Sequence, residues 1–318
     1  RDSNYDSVPL VCFTGQVPLN LIGNDAFQEV DIVGITRSIC KYAVTVRKRE
    51  DLARIIKNAF YIARTGKPGP VVVDIPKDIQ LAMGSDEYPS EVNIRGYKPS
   101  EGVHVGQIKR ALAELKNAKK PVFLCGGGVN IAHARKEMQQ LAEKTGIPVV
   151  TTIMGKGAIP TDHPLYVGNI GMHGNLASNK AIMESDVLFS IGCRFNDRIT
   201  GTIDTFAKNA KIIHVDIDAA SISRNIKVDI PIVADAKVAI SKMLEYAEPL
   251  DIKGWVDDIM NVKAEYPINM NRYDGVTPEA IIRTINDMYS SLIVTTDVGQ
   301  NQLSLIHISE PTRLLSIS

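Results

Sequence analysis

The chain has 318 residues, 44% of them hydrophobic and 23% charged, proportions that suit a globular protein of about two domains. Lysine plus arginine equals aspartate plus glutamate at 36 each, so no global field or basic stripe invites nucleic acid or an anionic membrane. No run reaches the roughly 18 apolar residues of a membrane span. Cys12, Cys40, Cys125 and Cys193 lie far apart without a Cys-x-x-Cys pair, which suits reduced thiols of a cytoplasmic protein and no zinc site.

Short apolar runs rich in valine and isoleucine alternate with helical patterns, which predicts parallel α/β structure. The first run is Val8 to Thr14. Leu52, Ile55, Ile56, Ala59, Phe60 and Ala63 then recur at helical spacing. Gly66-Lys67-Pro68-Gly69-Pro70 stops that helix, and the strand Val71 to Pro76 follows. Residues 81–103, broken by Gly84, Pro89, Gly96 and Pro99, predict an irregular linker. A second block opens with a helix over 106–117, and strands are expected near 121–125, 147–152, 186–191, 211–215 and 230–234. A helix is expected over 131–145. Residues 247–276, with Pro249, Gly254, Pro267 and Gly275, predict a second irregular linker. A helix over 278–289 and a strand from Leu292 to Thr296 open a third block. The tail 303–318 departs from this pattern and resembles translated vector sequence, so it is set aside from fold reasoning.

The chemistry-bearing residues fall at strand ends. Gly126-Gly127-Gly128 lies between a strand and a helix, where a bare backbone and a helix N-terminus suit a phosphate, and equally suit a tight turn without ligand. Gly192-Cys193-Arg194-Phe195-Asn196-Asp197-Arg198 follows another strand, and its two arginines suit a diphosphate or form a solvated charge cluster. Asp216 and Asp235 close two later strands, positions that hold ribose hydroxyls or cap helices. Together these predict a nucleotide lying across the strand ends. His173, between Gly171-Met172 and Gly174, is a glycine-flanked histidine, a setting more often structural than that of a general base.

Motifs then carry a resemblance. Thr14-Gly15-Gln16-Val17-Pro18, Asp25-Ala26-Phe27-Gln28-Glu29, Gly66 to Pro70 and Asp74-Ile75-Pro76-Lys77-Asp78 are similar to the pyrimidine-binding domain of acetolactate synthase large subunits. Gly171 to Gly174 and Cys193 to Arg198 resemble that family's flavin domain. Thr296-Asp297-Val298-Gly299-Gln300-Asn301-Gln302 resembles the start of its diphosphate-binding domain. The resemblance implies a pyrimidine-domain part over 1–80, a complete central Rossmann-like FAD-binding domain over 104–246, and the start of a diphosphate-binding domain over 277–302.

It also implies thiamine diphosphate, Mg2+ and a non-redox FAD, and the joining of two 2-keto acids with loss of carbon dioxide. Gln28 falls on the active-site glutamine and Phe27 on its aromatic neighbour. Pro18, Ala26, Lys77, Met172 and Asp197 fall on the substrate channel. Lys67, Gly126, Gly127, Gly128, Thr152, Ile153, His173, Gly192, Arg194, Asn196, Arg198, Asp216 and Asp235 fall on flavin positions, and Val298, Gly299, Gln300 and Asn301 on thiamine diphosphate positions. The family usually carries arginine at Lys67, whose ammonium lacks the planar fork, and histidine at Asn301. Implied partners are further catalytic subunits, as a dimer or tetramer, and a small regulatory subunit.

Two other readings remain: a related thiamine carboligase such as glyoxylate carboligase, and a non-catalytic nucleotide-binding module. The resemblance places the catalytic glutamate upstream of residue 1 and the magnesium motif downstream of Gln302. The expectation is therefore that the 318-residue chain alone forms no acetolactate from pyruvate, and a colorimetric acetolactate assay with any signal above a boiled control would overturn it.

Overall fold

The computed structural model describes residues 2–99, 102–267, 275–289 and 299. The chain divides into two compact units, Arg1–Pro99 and Ser100–Ser318. In the first, α1 (Asp2–Tyr5), β1 (Leu10–Gln16), α2 (Ile32–Thr36), β2 (Tyr42–Thr45), α3 (Leu52–Arg64), β3 (Pro70–Pro76) and α4 (Lys77–Leu81) follow in order. Their sheet is parallel, in the order β1-β3-β2. β3 is central, and its valines Val71 and Val73 pack with Ala59, Ile62 and Ala63 of α3 and with Ile79 of α4. The Lys41 ammonium bonds the Ile62 carbonyl at 2.6 Å and the Thr65 carbonyl, placing a cation at the C-terminal end of α3. Residues 82–99 form neither helix nor strand.

In the second unit come α5 (Val105–Asn117), β4 (Pro121–Cys125), α6 (Gly127–Ile131), α7 (Arg135–Thr145), β5 (Val149–Thr151), β6 (Tyr166–Asn169), α8 (Leu176–Glu184) and β7 (Val187–Ile191). They are followed by α9 (Asp197–Thr200), β8 (Lys211–Asp216), β9 (Ile230–Val233), α10 (Ala236–Tyr246), α11 (Lys253–Glu265) and α12 (Pro278–Met288). Six strands form one parallel sheet in the order β6-β5-β4-β7-β8-β9. The first strand of the unit is thus internal, and the chain winds outward from it in one direction and then, from β7, in the other. That is the doubly wound order, with its switch point between β4 and β7. Every residue of β4 and β7 is buried, as strands covered on both faces must be. Phe123 and Phe189 face each other across this pair, ring centroids 5.6 Å apart in a T-shaped contact.

The structure departs from the sequence expectations at particular places. The helix expected over 131–145 is two helices: α6 starts earlier, at Gly127, and ends before His133, a non-glycine residue in the left-handed region at φ 53°. The stretch 247–276, expected to be irregular, contains the 13-residue α11, which buries Trp255 and Ile259 on the main core. Its flanking prolines and its Asp257-Asp258 pair conceal a short apolar face from a composition reading. β2 and β6, four residues each, were too short to register as apolar runs. The strand expected over Leu292 to Thr296 and the tail 303–318 lie outside the described residues. No helix among the described residues is long and apolar enough to cross a membrane.

Trp255, the chain's one tryptophan, is 5% exposed, and its indole N–H donates to the Pro121 carbonyl at 3.1 Å. It therefore reports on the second unit. Phe123→Ala removes a fully buried ring from the centre of that sheet and is expected to lower its unfolding free energy by about 3–5 kcal/mol, read from urea denaturation by Trp255 fluorescence.

Candidate functional site

The switch point is where the two turns of greatest interest meet. The Gly126 amide donates to the Ile191 carbonyl at 2.9 Å and the Gly128 amide to the Gly192 carbonyl at 3.1 Å. A β-carbon on Gly126 would stand 2.1 Å from the Gly192 oxygen, and one on Gly128 would stand 2.6 Å from the Gly192 α-carbon. Gly192 itself sits at φ 61°. Main chain thus packs on main chain with no room for a side chain on either turn, and only glycine satisfies both sides. Two of the three glycines are required by this crossing whatever they bind.

The other strand ends surround it. After β5, the Thr152 amide donates to the Cys125 carbonyl at 3.0 Å, and the Thr152 hydroxyl accepts from the Gly155 amide at 3.1 Å, which sets Ile153 in a short 3-10 turn. After β6, the Gly171–Gly174 turn packs on the β7 loop: the Met172 amide donates to the Arg198 carbonyl at 3.0 Å. Met172 and His173 are exposed there. After β7, Phe195 is left-handed at φ 51° with its ring buried against His214 and Phe206, so Arg194 and Asn196 flank an anchored residue. Asp197 and Arg198 are exposed and 3.9 Å apart, a contact that water screens. At the end of β8, buried Asp216 accepts from the Asp218 amide at 2.9 Å and lies 3.6 Å from His214 Nε2. At the end of β9, Asp235 caps α10, accepting from the Lys237 and Val238 amides at 2.9 and 3.2 Å. Glycine turns, two arginines and the carboxylates of Asp197, Asp216 and Asp235 are therefore gathered along the carboxyl ends of the six strands.

Four side chains that the sequence reading passed over hold these loops. Asn130 Nδ2 donates to the Met154 and Lys156 carbonyls, at 2.8 and 3.0 Å. Asn179 clasps Gly171 at both its amide and its carbonyl, at 3.0 and 3.1 Å. Asn225 Nδ2 donates to the Arg194 and Phe195 carbonyls, each at 3.0 Å. His214, fully buried, has Nε2 2.9 Å from the Cys193 carbonyl. No sequence signal marks them, because each acts on backbone between 8 and 31 residues away in the chain. Cys193 is buried beside this loop, and burial, with the Asp216 charge adding to it, pushes its thiol up to about 12. Burial also raises Cys125 strongly, so neither is a ready nucleophile.

In the first unit, Pro18 and Lys77 leave the paired carboxyl ends of β1 and β3, and the Leu19 amide donates to Asp78 at 3.1 Å, tying the two segments. Between Val17 and Val30 the chain forms a surface loop carrying Ala26, Phe27, 88% exposed, and Gln28, left-handed at φ 61°. Glu29 reaches back along this loop to accept from the Gly23 amide and, at 3.0 Å, from the Ala26 amide. These bonds, Gly23 first, hold its carboxyl below the usual carboxylate range. Lys67 lies at the opposite, amino end of β3, about 20 Å along the strand from Lys77, so the structure separates it from the other first-unit residues. Of the thiamine diphosphate positions, Val298, Gln300 and Asn301 lie outside the described residues, and Gly299 is described only as a bend.

A glycine-lined switch point in a doubly wound parallel sheet defines a Rossmann-like α/β domain. Residues 108–243 match the family described as thiamine pyrophosphate enzyme, central domain. Among similar proteins, the probable acetolactate synthase large subunit of Methanococcus aeolicus is 45% identical, over 96% of this chain and 55% of its own length. The acetolactate synthase large subunit of Corynebacterium glutamicum is 44% identical over 95% of this chain and 50% of its own length. The acetolactate synthase isozyme 3 large subunit of Escherichia coli is 41% identical over 94% and 54%. The chain carries a thiamine pyrophosphate enzyme central domain, is homologous to acetolactate synthase large subunits, and spans about half the length of these relatives.

The crossing at the switch point makes a direct stability prediction. Gly192→Ala must place a β-carbon 2.5 Å from the Gly128 α-carbon at a positive φ, and is expected to cost about 3 kcal/mol. Gly254→Ala, in α11 with nothing within 4 Å, is expected to be neutral or stabilising by about 0.5 kcal/mol. Paired urea curves on the two variants check the contrast.

Proposed function

We propose that this chain is part of the catalytic subunit of an acetolactate synthase. Such an enzyme condenses two pyruvates, or pyruvate and 2-oxobutanoate, to 2-acetolactate or 2-aceto-2-hydroxybutanoate with loss of carbon dioxide, the first common step toward branched-chain amino acids. The observation that carries this reading is 41–45% identity over about 95% of the chain to proteins of that name. When bound, thiamine diphosphate supplies the electron sink that lets a 2-keto acid lose carbon dioxide and join a second one.

The chain's own residues would do the positioning. Gln28 and Phe27, displayed on the loop after β1, would orient the reacting groups and exclude water. Pro18, Ala26, Lys77, Met172 and Asp197 would line the path of the 2-keto acids, with the Lys77 ammonium suited to their carboxylates. Val298, Gly299, Gln300 and Asn301 would hold the diphosphate of thiamine. Magnesium enters the proposal without an assigned ligand in this sequence.

FAD would lie at the strand ends of the second unit, held by Gly126, Gly127, Gly128, Thr152, Ile153, His173, Gly192, Arg194, Asn196, Arg198, Asp216 and Asp235. The fit rests on two features. The crossing at Gly126, Gly128 and Gly192 brings bare main chain to the switch point, and the β7 loop adds two guanidinium groups suited to a diphosphate. Lys67 would add charge without a bidentate contact. No redox step is assigned to the flavin. In this reading the subunit works in the cytoplasm as a homodimer or tetramer, with a small regulatory subunit as a further partner.

The test uses a chain extended to the full length of its relatives, given pyruvate, thiamine diphosphate, magnesium and FAD. One acetolactate per carbon dioxide, dependent on added FAD, is the expected result. Carbon dioxide without acetolactate, or turnover only with glyoxylate, would replace this reading with a related decarboxylase or carboligase.

A further inference from the structure

The loop that displays Phe27 and Gln28 is a segment of 14 residues, 17–30, without helix or strand, and its ends are drawn together. Gln16, the last residue of β1, spans its base: its side-chain amide donates to the Val30 carbonyl at 2.8 Å, and its carbonyl accepts from the Val17 amide at 2.9 Å. The same amide lies 3.4 Å from Asp74, a carboxylate only 1% exposed that also accepts from Thr14 at 2.8 Å and Thr45 at 3.2 Å. The base of the loop is thus tied to the centre of the sheet.

The tip has no such support from packing. Asp25, Phe27 and Gln28 are exposed, yet Asp25 and Gln28 both occupy the left-handed region, at φ 51° and 61°. Non-glycine residues stay there only when their surroundings over-determine them. The one side chain that spans both is Glu29. One of its oxygens accepts from the Gly23 amide and the other from the Ala26 amide, so the carboxylate bridges the turn holding Asp25 while its own main-chain amide donates to the Ala26 carbonyl at 2.9 Å and closes the turn holding Phe27 and Gln28. We propose that Glu29 is the positioning residue of this loop, holding Gln28 in its left-handed conformation toward its reacting partners. The role of Gln28 itself rests on the function proposed above. An ionised carboxylate is the strongest acceptor for two main-chain amides, and the lowered Glu29 carboxyl agrees with that.

Amide hydrogen exchange on the whole chain tests the clamp without any need for activity. In Glu29→Ala, exchange at Gly23 and Ala26 is expected to quicken by about tenfold, the loss of one charge-assisted hydrogen bond at each, while Val72 and Val73 of β3 keep their protection. Glu29→Gln offers only one accepting atom, so one of the two amides is expected to lose protection and the other to retain it. That variant decides the matter if Glu29→Ala also exposes β3. Unchanged exchange at both amides in both variants overturns the clamp.

The second readout is a double-mutant cycle in the full-length enzyme. Glu29→Ala is expected to lower kcat, Glu29→Gln to restore part of it, and Glu29→Ala added to Gln28→Ala to lower kcat no further. Multiplying losses, or wild-type kcat in Glu29→Ala, would overturn action through Gln28. If Gln28→Ala leaves carboligation unchanged, the assignment of Gln28 fails, and the exchange result still decides the clamp on its own.

Discussion

Two turns in the second unit touch main chain to main chain, and the arrangement of its site depends on that contact. The doubly wound order places β4 beside β7 while their connections leave in opposite directions, so the turns after these strands share one narrow space. Gly126 and Gly128 on one side and Gly192 on the other fill that space with backbone alone, joined by bonds from the Gly126 and Gly128 amides. A β-carbon at any of the three would push the strand ends apart. The same contact brings the arginine loop after β7 beside the glycine turn after β4, so a constraint of packing and a grouping of charge have one cause.

Around that contact, single polar side chains hold the loops, and the buried Phe195 ring anchors the one after β7 as well. Asn130, Asn179 and Asn225 each bridge two main-chain groups of a neighbouring loop, and buried His214 meets the Cys193 carbonyl. Each such bond contributes only about 1 kcal/mol, but a loop exposed to water on one side has little else to choose its conformation. Glu29 in the first unit belongs to the same class, with a charge added. The sheets beneath are held differently: β3, β4 and β7 bury nearly every residue, and their stability comes from apolar area and close packing. Rigid sheets with adjustable loops at their carboxyl ends let site residues be set by local bonds without disturbing the core.

The core strands were legible because a parallel strand covered on both faces must be apolar throughout, and Val71 to Val73, Pro121 to Cys125 and Val187 to Ile191 read that way in the chain itself. The glycine turn and the Gly192–Arg198 loop were legible as strand-end motifs. β2 and β6 were not, since four residues carry no period, and Gly168 sits within β6 at φ 145°. α11 was hidden because its buried face needs only Trp255 and Ile259 with partly buried neighbours, while prolines on both sides suggest a connection.

Asp235 shows the limit at the site: its sequence position suits a ribose contact or a helix cap, and its carboxylate accepts the first amides of α10. Composition, period and local motif, all properties of neighbouring residues, were enough to determine the parallel α/β class and to place the glycine turn and the arginine loop at strand ends. The tertiary structure alone decided that Gly192 meets Gly128 across 64 positions of chain and that Asn225 holds Arg194, because each depends on which remote backbone groups the folded chain brings within reach.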